Sequence, residues 1–211
     1  MLHINSLQLG VHHDENDLRK KIAKTVGCNI DEIKNIEIKK RSVDARKKPE
    51  IFYSYSIDVS VDNEEKYLKR NKSLSLAKPV IYAYKDAKCL KAADIKRPVV
   101  VGFGPAGIFA ALLLAKNGLK PIVIERGECV EERKESVDRF WDEGKLNPES
   151  NVSFGEGGAG TFSDGKLNTL VKDTFGRNKF VLETLVEYGA PKEILYDNKP
   201  HIGTDLLTGI V

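Results

Sequence analysis

VVVGFGPAGIFAALLLAKNGLKPIVIERG, residues 99–127, holds two apolar runs, three closely spaced glycines and an acid within one short span. Val99 to Val101, bounded by Pro98 and Gly102, predicts a buried parallel strand. Pro105 to Asn117 is rich in Ala and Leu and predicts a helix that Gly118 stops. Pro121 to Ile124 predicts a second strand, and Glu125 lies at its end. The intervening Gly102-Phe103-Gly104-Pro105-Ala106-Gly107 is GxGxxG. Each glycine has a separate task in such a turn. Gly102 allows the sharp bend, Gly104 lets a pyrophosphate approach the backbone, and Gly107 lets the helix pack closely on the strand. Free N–H groups at the helix start attract phosphate. Glu125 lies one helix and one strand beyond Gly107, where an acid accepts hydrogen bonds from ribose hydroxyls. Strand, glycines, helix, strand and acid together predict a dinucleotide site in a Rossmann-like domain.

An acid at Glu125 argues against a 2′-phosphorylated nicotinamide dinucleotide, an argument that adjacent Arg126 weakens slightly. A second glycine-rich segment follows. Residues 151–168 read NVSFGEGGAGTFSDGKLN, with five glycines and several hydroxyls. This composition excludes ordinary helix and offers many backbone N–H groups to a ligand. Gly157, Gly158, Gly160, Thr161, Ser163, Asp164 and Lys166 join Pro105, Ala106 and Arg126 as candidate cofactor contacts. His201, in KPHIGTD, is a titratable group and a candidate proton donor, with a structural role the simpler reading. No catalytic residue and no metal site is named.

The first part of the chain reads as a small α+β domain. Leu2, Ile4, Leu7 and Leu9 predict a strand with a slip at Ser6. Asp14 caps a helix from Glu15 to Val26, and Gly27 stops it. A second strand is expected near Ile33 to Val43, then a polar turn at Arg46 to Glu50. In the third strand Ile51, Tyr53, Tyr55, Ile57, Val59 and Val61 share one face, with Ser54, Ser56, Asp58 and Ser60 opposite. A helix over Glu64 to Lys72 and a last strand over Val80 to Tyr84 complete βαββαβ, the split-βαβ plan of ferredoxin-like domains. The charged Lys85–Arg97 stretch, ending in Pro98, serves as a linker, and the expected limits are 1–90 for this domain, 91–98 for the linker and 99–211 for the dinucleotide-binding domain.

Composition narrows the class further. The 41% hydrophobic and 31% charged fractions are those of a soluble folded protein. No run reaches the roughly 18 apolar residues of a membrane helix, and the N-terminus lacks the pattern of a secretory signal. Cys28, Cys89 and Cys129 are widely spaced, which fits reduced thiols in a cytoplasmic protein. Residues 1–97 carry 21 of the 34 Lys+Arg but 14 of the 31 Asp+Glu, so the net +7 there is opposed by −4 in the remainder. A basic domain on this plan could dock RNA, but KKRSVDARKK lacks the stacking aromatics of an RNP signature.

Beyond the glycine motif, the segments VIERG, FWDEGKLNPESNVSFGEGGAGTFSDGKLNTLVKD and APKEILYDNKPHIGTDLL resemble a bacterial family of FAD-dependent oxidoreductases. This family comprises uncharacterised FAD-dependent dehydrogenases of the two-dinucleotide-fold class. HHDENDLRKKIAK and KKRSVDARKKP extend the resemblance into the first domain. It implies FAD at Gly102, Gly104, Gly107 and Glu125, with the 155–166 loop close to the flavin end. It also implies NAD(P)H as a candidate electron donor and a small-molecule substrate, with no membrane partner. Members of the family are about twice as long, so a truncated chain with an incomplete FAD domain is expected. A flavoprotein that modifies RNA and a non-catalytic nucleotide-binding module are the alternatives.

Overall fold

The computed structural model describes residues 1–84, 96–162, 165–167, 169 and 171–211. The chain is mixed α/β and forms two compact units, Met1–Val80 with Lys192–Pro200, and Ile81–Pro191 with His201–Val211. Residues 91–95 of the expected linker, together with Cys89, Ser163 and Asp164, lie outside the described residues.

In the first unit, β1 (Leu2–Gly10), β2 (Ile33–Asp44), β3 (Phe52–Val61) and β4 (Leu74–Leu76) form an antiparallel sheet in the order β2-β3-β1-β4. Helices α1 (Glu15–Val26) and α2 (Glu64–Arg70) make the two crossovers. Ile4 pairs with Ile57 and Leu7 with Tyr55, across an irregularity in β1. Residues three apart cannot share a face of a regular strand, so the slip at Ser6 is the bulge that buries both. Leu18, Ile22 and Val26 of α1 close over Leu2, Ile57 and Val59 to make the core. Asp14 accepts from the Asp17 N–H at 2.7 Å, and Asp17 reaches back to complete a capping box. Gly27, left-handed at φ 85°, ends the helix.

Several expectations for this unit need correction. Val80 to Tyr84 form no strand; the fourth strand is Leu74–Leu76, three residues long. The aromatic side chains that suggested alternation pack elsewhere, with Tyr82 lying 5.2 Å from the Phe180 ring. Helix α2 stops at Arg70, short of Lys72. The face of β3 read as polar is not uniformly so, because Asp58 is buried where His3 Nδ1 meets it at 2.6 Å and Lys39 Nζ at 3.5 Å. Ile51, expected on the core face, is exposed.

In the second unit, β5 (Val99–Val101) and β6 (Ile122–Ile124) pair in parallel, joined by α3 (Pro105–Lys116). The pairing continues at both ends, where the Ile122 N–H donates to Pro98 O and the Gly102 N–H to Ile124 O. Three further helices follow, α4 (Val130–Glu143), α5 (Arg177–Glu187) and α6 (Thr204–Ile210). Among the described residues no helix is long and apolar enough to cross a membrane.

Candidate functional site

The parallel strands bring the three glycines and Glu125 to one turn. Gly102 bends the chain at φ 90°, a conformation that side chains rarely adopt. A Cβ on Gly107 would sit 1.9 Å from Gly102 O, so this glycine is required by helix-to-loop packing. Gly104 differs. Its φ is −77°, and a Cβ there would make only an ordinary contact, 3.7 Å from Gly158 Cα. It is also the N-cap of α3 and offers no side-chain acceptor, while Pro105 and the exposed Ala106 open the helix. The first turn of α3 is therefore left to an outside acceptor.

Glu125 closes the turn from the β6 side. Its carboxylate accepts from the Phe103 N–H at 2.6 Å and from the Gly127 N–H at 2.9 Å. Burial pushes this carboxyl up, but the N–H groups of Gly127, Phe103 and Arg126, with the charge of Arg133, draw it below the usual carboxylate range. An ionised acid is thus fixed beside the glycine turn. The Arg126 side chain is not part of the turn: its guanidinium lies 4.3 Å from the Phe154 ring centroid and 3.8 Å from Glu149.

The second glycine segment packs directly on the first. The Gly157 N–H donates to Phe103 O at 2.9 Å, and a Cβ on Gly158 would come within 3.0 Å of both Gly104 Cα and Pro105 Cδ. Gly157 and Gly158 both have positive φ and allow this backbone-to-backbone approach. Thr161 is 1% exposed, and its Oγ1 finds no hydrogen-bond partner among the described residues. Gly160 is exposed. Lys166, also exposed, pairs with His201 in an isolated antiparallel bridge. Thr161, Gly160 and Lys166 line a cavity of about 540 Å³ that runs along α3.

One residue that organises this region escapes sequence reading. Arg133 of α4 is 0% exposed. Its guanidinium donates to the carbonyls of Asn151, Val152, Glu156 and Gly158 at 2.6–3.0 Å. It also lies 4.7 Å from the Phe162 ring. Burial draws its pKa down, opposed by the charge of Glu125. The Glu156 carboxylate in turn accepts the Val130 N–H at the start of α4. Loop 151–158 is thus held by α4 against the glycine turn. The available signal was an arginine at the position of an apolar stripe, since Val130 and Val137 flank it at spacings of three and four.

In the first unit, Tyr53 and Tyr55 do not form a free stacking surface. Tyr55 is buried and bonds His13 Nε2 at 3.0 Å, and the Arg41 guanidinium covers Tyr53 at 5.3 Å. Among the described residues no group of three or more His, Cys, Asp or Glu could hold a metal ion. Cys28 and Cys129 are free thiols.

A domain of unknown function, DUF8436, matches residues 1–60. An uncharacterized protein of Clostridium beijerinckii is 50% identical over 210 residues, covering 100% of this chain and 39% of its own length. The chain therefore spans about two fifths of the curated relative it matches.

Proposed function

We propose that this chain carries the dinucleotide-binding turn of an FAD-dependent oxidoreductase, in a Rossmann-like unit preceded by a ferredoxin-like one. The carrying observation is the convergence of Gly104, the uncapped start of α3 and the ionised Glu125 at the end of a parallel βαβ unit. The strand order β2-β3-β1-β4, with a helix at each crossover, supports the ferredoxin-like reading. The resemblance of residues 140–173 to flavin-dependent dehydrogenases favours FAD over a nicotinamide dinucleotide at this turn.

The residues present fit the cofactor. The α3 N-terminus would face the pyrophosphate, where helix dipole and N–H donors favour negative charge. Two carboxylate oxygens have about four lone-pair sites, so the backbone N–H groups that Glu125 accepts leave acceptor capacity for ribose hydroxyls. The Thr161 hydroxyl is an unused donor in the adjacent loop. FAD supplies hydride and electron transfer at its isoalloxazine, and the protein binds and orients it. In the intact enzyme the partner is a small-molecule substrate, with NAD(P)H as a candidate donor and the cytoplasm as the compartment.

A glycine pair tests the reading. Gly107→Ala collides with Gly102 O and should destabilise the second unit by more than about 2 kcal/mol. Gly104→Ala is tolerated by the fold, so its thermal midpoint should match the parent. Its affinity for FAD and for ADP, the adenosine half, should fall at least tenfold, or about 1.4 kcal/mol. Equal ligand affinity for Gly104→Ala and the parent, measured by calorimetric titration, would reject the cofactor assignment.

A further inference from the structure

His3, Ser56 and Asp58 meet on the face of the first unit's sheet that is turned away from the core. Ile57 and Val59 of β3 are fully buried in that core, so Ser56, Asp58 and Ser60 point to the opposite face. In the β1–β3 register His3 stands directly across from Asp58, and Ser56 is its diagonal neighbour. The His3 ring joins the two. Its Nδ1 lies 2.6 Å from Asp58 Oδ1, and its Nε2 lies 3.4 Å from Ser56 Oγ. A carboxylate only accepts, so Nδ1 of the neutral ring carries the proton and the Nε2 lone pair faces the Ser56 hydroxyl. Asp58 is buried, and Lys39 Nζ, itself 3.1 Å from Glu37, approaches its other oxygen to 3.5 Å. The carboxylate is thus fixed and withdrawn from solvent, while His3 and Ser56 stay partly exposed to a reactant. Hydroxyl, base and orienting acid in hydrogen-bond sequence are the parts of an activated serine, and a long nucleophile-to-base contact is common before a reactant binds.

We propose that Ser56 is an activated nucleophile and a site of acylation, with His3 as its general base and Asp58 as the residue that positions His3. The reactant it takes is an activated acyl group, an ester or thioester, small enough for an open sheet face. Ser56 Oγ bonds to the carbonyl carbon, and the C–O or C–S bond to the leaving group breaks. The serine proton passes through His3 Nε2 to the departing alkoxide or thiolate. The product is O-acyl-Ser56, formed with no change in oxidation state. The glycine turn and its cofactor have no part in this step.

Incubation of the 211-residue chain with p-nitrophenyl acetate tests this, with peptide mass mapping to place the acetyl groups. Ser54 and Ser60 of the same strand are internal controls, since their hydroxyls meet Ser6 and Glu64 instead. Ser56 should be acetylated at least about tenfold faster than either. His3→Gln, at a partly exposed position, should slow acetylation of Ser56 about a hundredfold, the lower end of what a general base contributes. Asp58→Asn should slow it as well. Nitrogen NMR of the His3 ring should then show the proton moved from Nδ1 to Nε2, because an amide can donate to Nδ1, and a purely structural loss would not move it. Acetylation of Ser56 no faster than that of Ser54 and Ser60 would overturn the proposal. So would an unchanged rate in His3→Gln with the amides of β1 and β3 still protected, a result that holds even if Asp58→Asn fails to fold. Full reactivity and an unmoved ring proton in a folded Asp58→Asn would overturn the positioning role of Asp58.

Discussion

Arg133 and Tyr67 hold the two units in opposite electrostatic ways. The Arg133 guanidinium satisfies four carbonyls of one loop without a hydrogen-bonded carboxylate among the described residues. A lysine in its place is a point charge on a flexible stem and cannot present the same fork. Arg133→Lys should leave buried carbonyls unsatisfied and cost about 3 kcal/mol, at roughly 1–3 kcal/mol for each group orphaned. Chemical denaturation of the second unit reads this directly, and a loss below about 1 kcal/mol would show that the loop holds itself. In the first unit, the Tyr67 hydroxyl donates to the Glu32 carboxylate. That bond pushes the phenol up to about 12 and holds the carboxyl below its usual range. The folded state therefore keeps the phenolic proton more tightly than the unfolded chain does. This stabilisation is present in full below the usual tyrosine value of 10 and is lost as pH rises through about 12. Tyr67→Phe removes it. The thermal midpoint of the first unit should fall more steeply between pH 10 and 12 in the parent than in the variant, and parallel profiles would contradict the assignment.

Helix α1 carries its own boundaries. Asp14 satisfies the Asp17 N–H, Gly27 takes the left-handed exit, and Leu18, Ile22 and Val26 form the buried stripe. Asp14→Ala should cost about 1 kcal/mol, visible as a shift in the urea midpoint with an unchanged slope. This element was legible because its signals are local: cap, period and stop all lie between Asp14 and Gly27. The glycine turn was legible for the same reason, with Gly102 and Gly107 fixed by sterics inside one βαβ unit. Non-local partners were not legible. Val80, Tyr82 and Tyr84 alternate as a strand would, but the ring of Phe180, far along the chain, takes up the tyrosines. β4 pairs through only three residues, Leu74–Leu76 with Leu2–Ile4, too few for a period to declare itself. Asp58 sits on the face read as polar, and only the fold brings His3 and Lys39 to it. Arg133 was obscured by its type, since a charged side chain on an apolar stripe reads as solvated until four carbonyls are found around it.

The path of the chain makes the first unit depend on residues far along the sequence. After the second unit has begun, Lys192–Pro200 returns to the first. It lies beside β2, an edge strand of the sheet. The Arg41 N–H donates to Tyr196 O at 2.7 Å, and the Asn198 N–H donates to Arg41 O at 2.9 Å. The Arg41 side chain grips Asp197 with both Nε and Nη2, and its guanidinium lies between the Tyr53 and Tyr196 rings. Edge strands expose unpaired backbone groups that invite other chains, and this segment occupies both of those at Arg41. The ion pair itself is partly exposed, so its direct contribution is at most about 1 kcal/mol. The backbone pairing and ring contacts add to it. Asp197→Ala should therefore destabilise the first unit by about 1 kcal/mol and accelerate amide exchange at Arg41 and Asn198, while amides in α3 stay unchanged. Ending the chain at Pro191 removes the whole segment together with His201–Val211 of the second unit. It should cost more than the point substitution, expose the β2 edge and promote self-association through it. Light scattering and residue-resolved exchange on the shortened chain test this together. Unaltered protection at Arg41 would mean that β2 is stable without the returning segment.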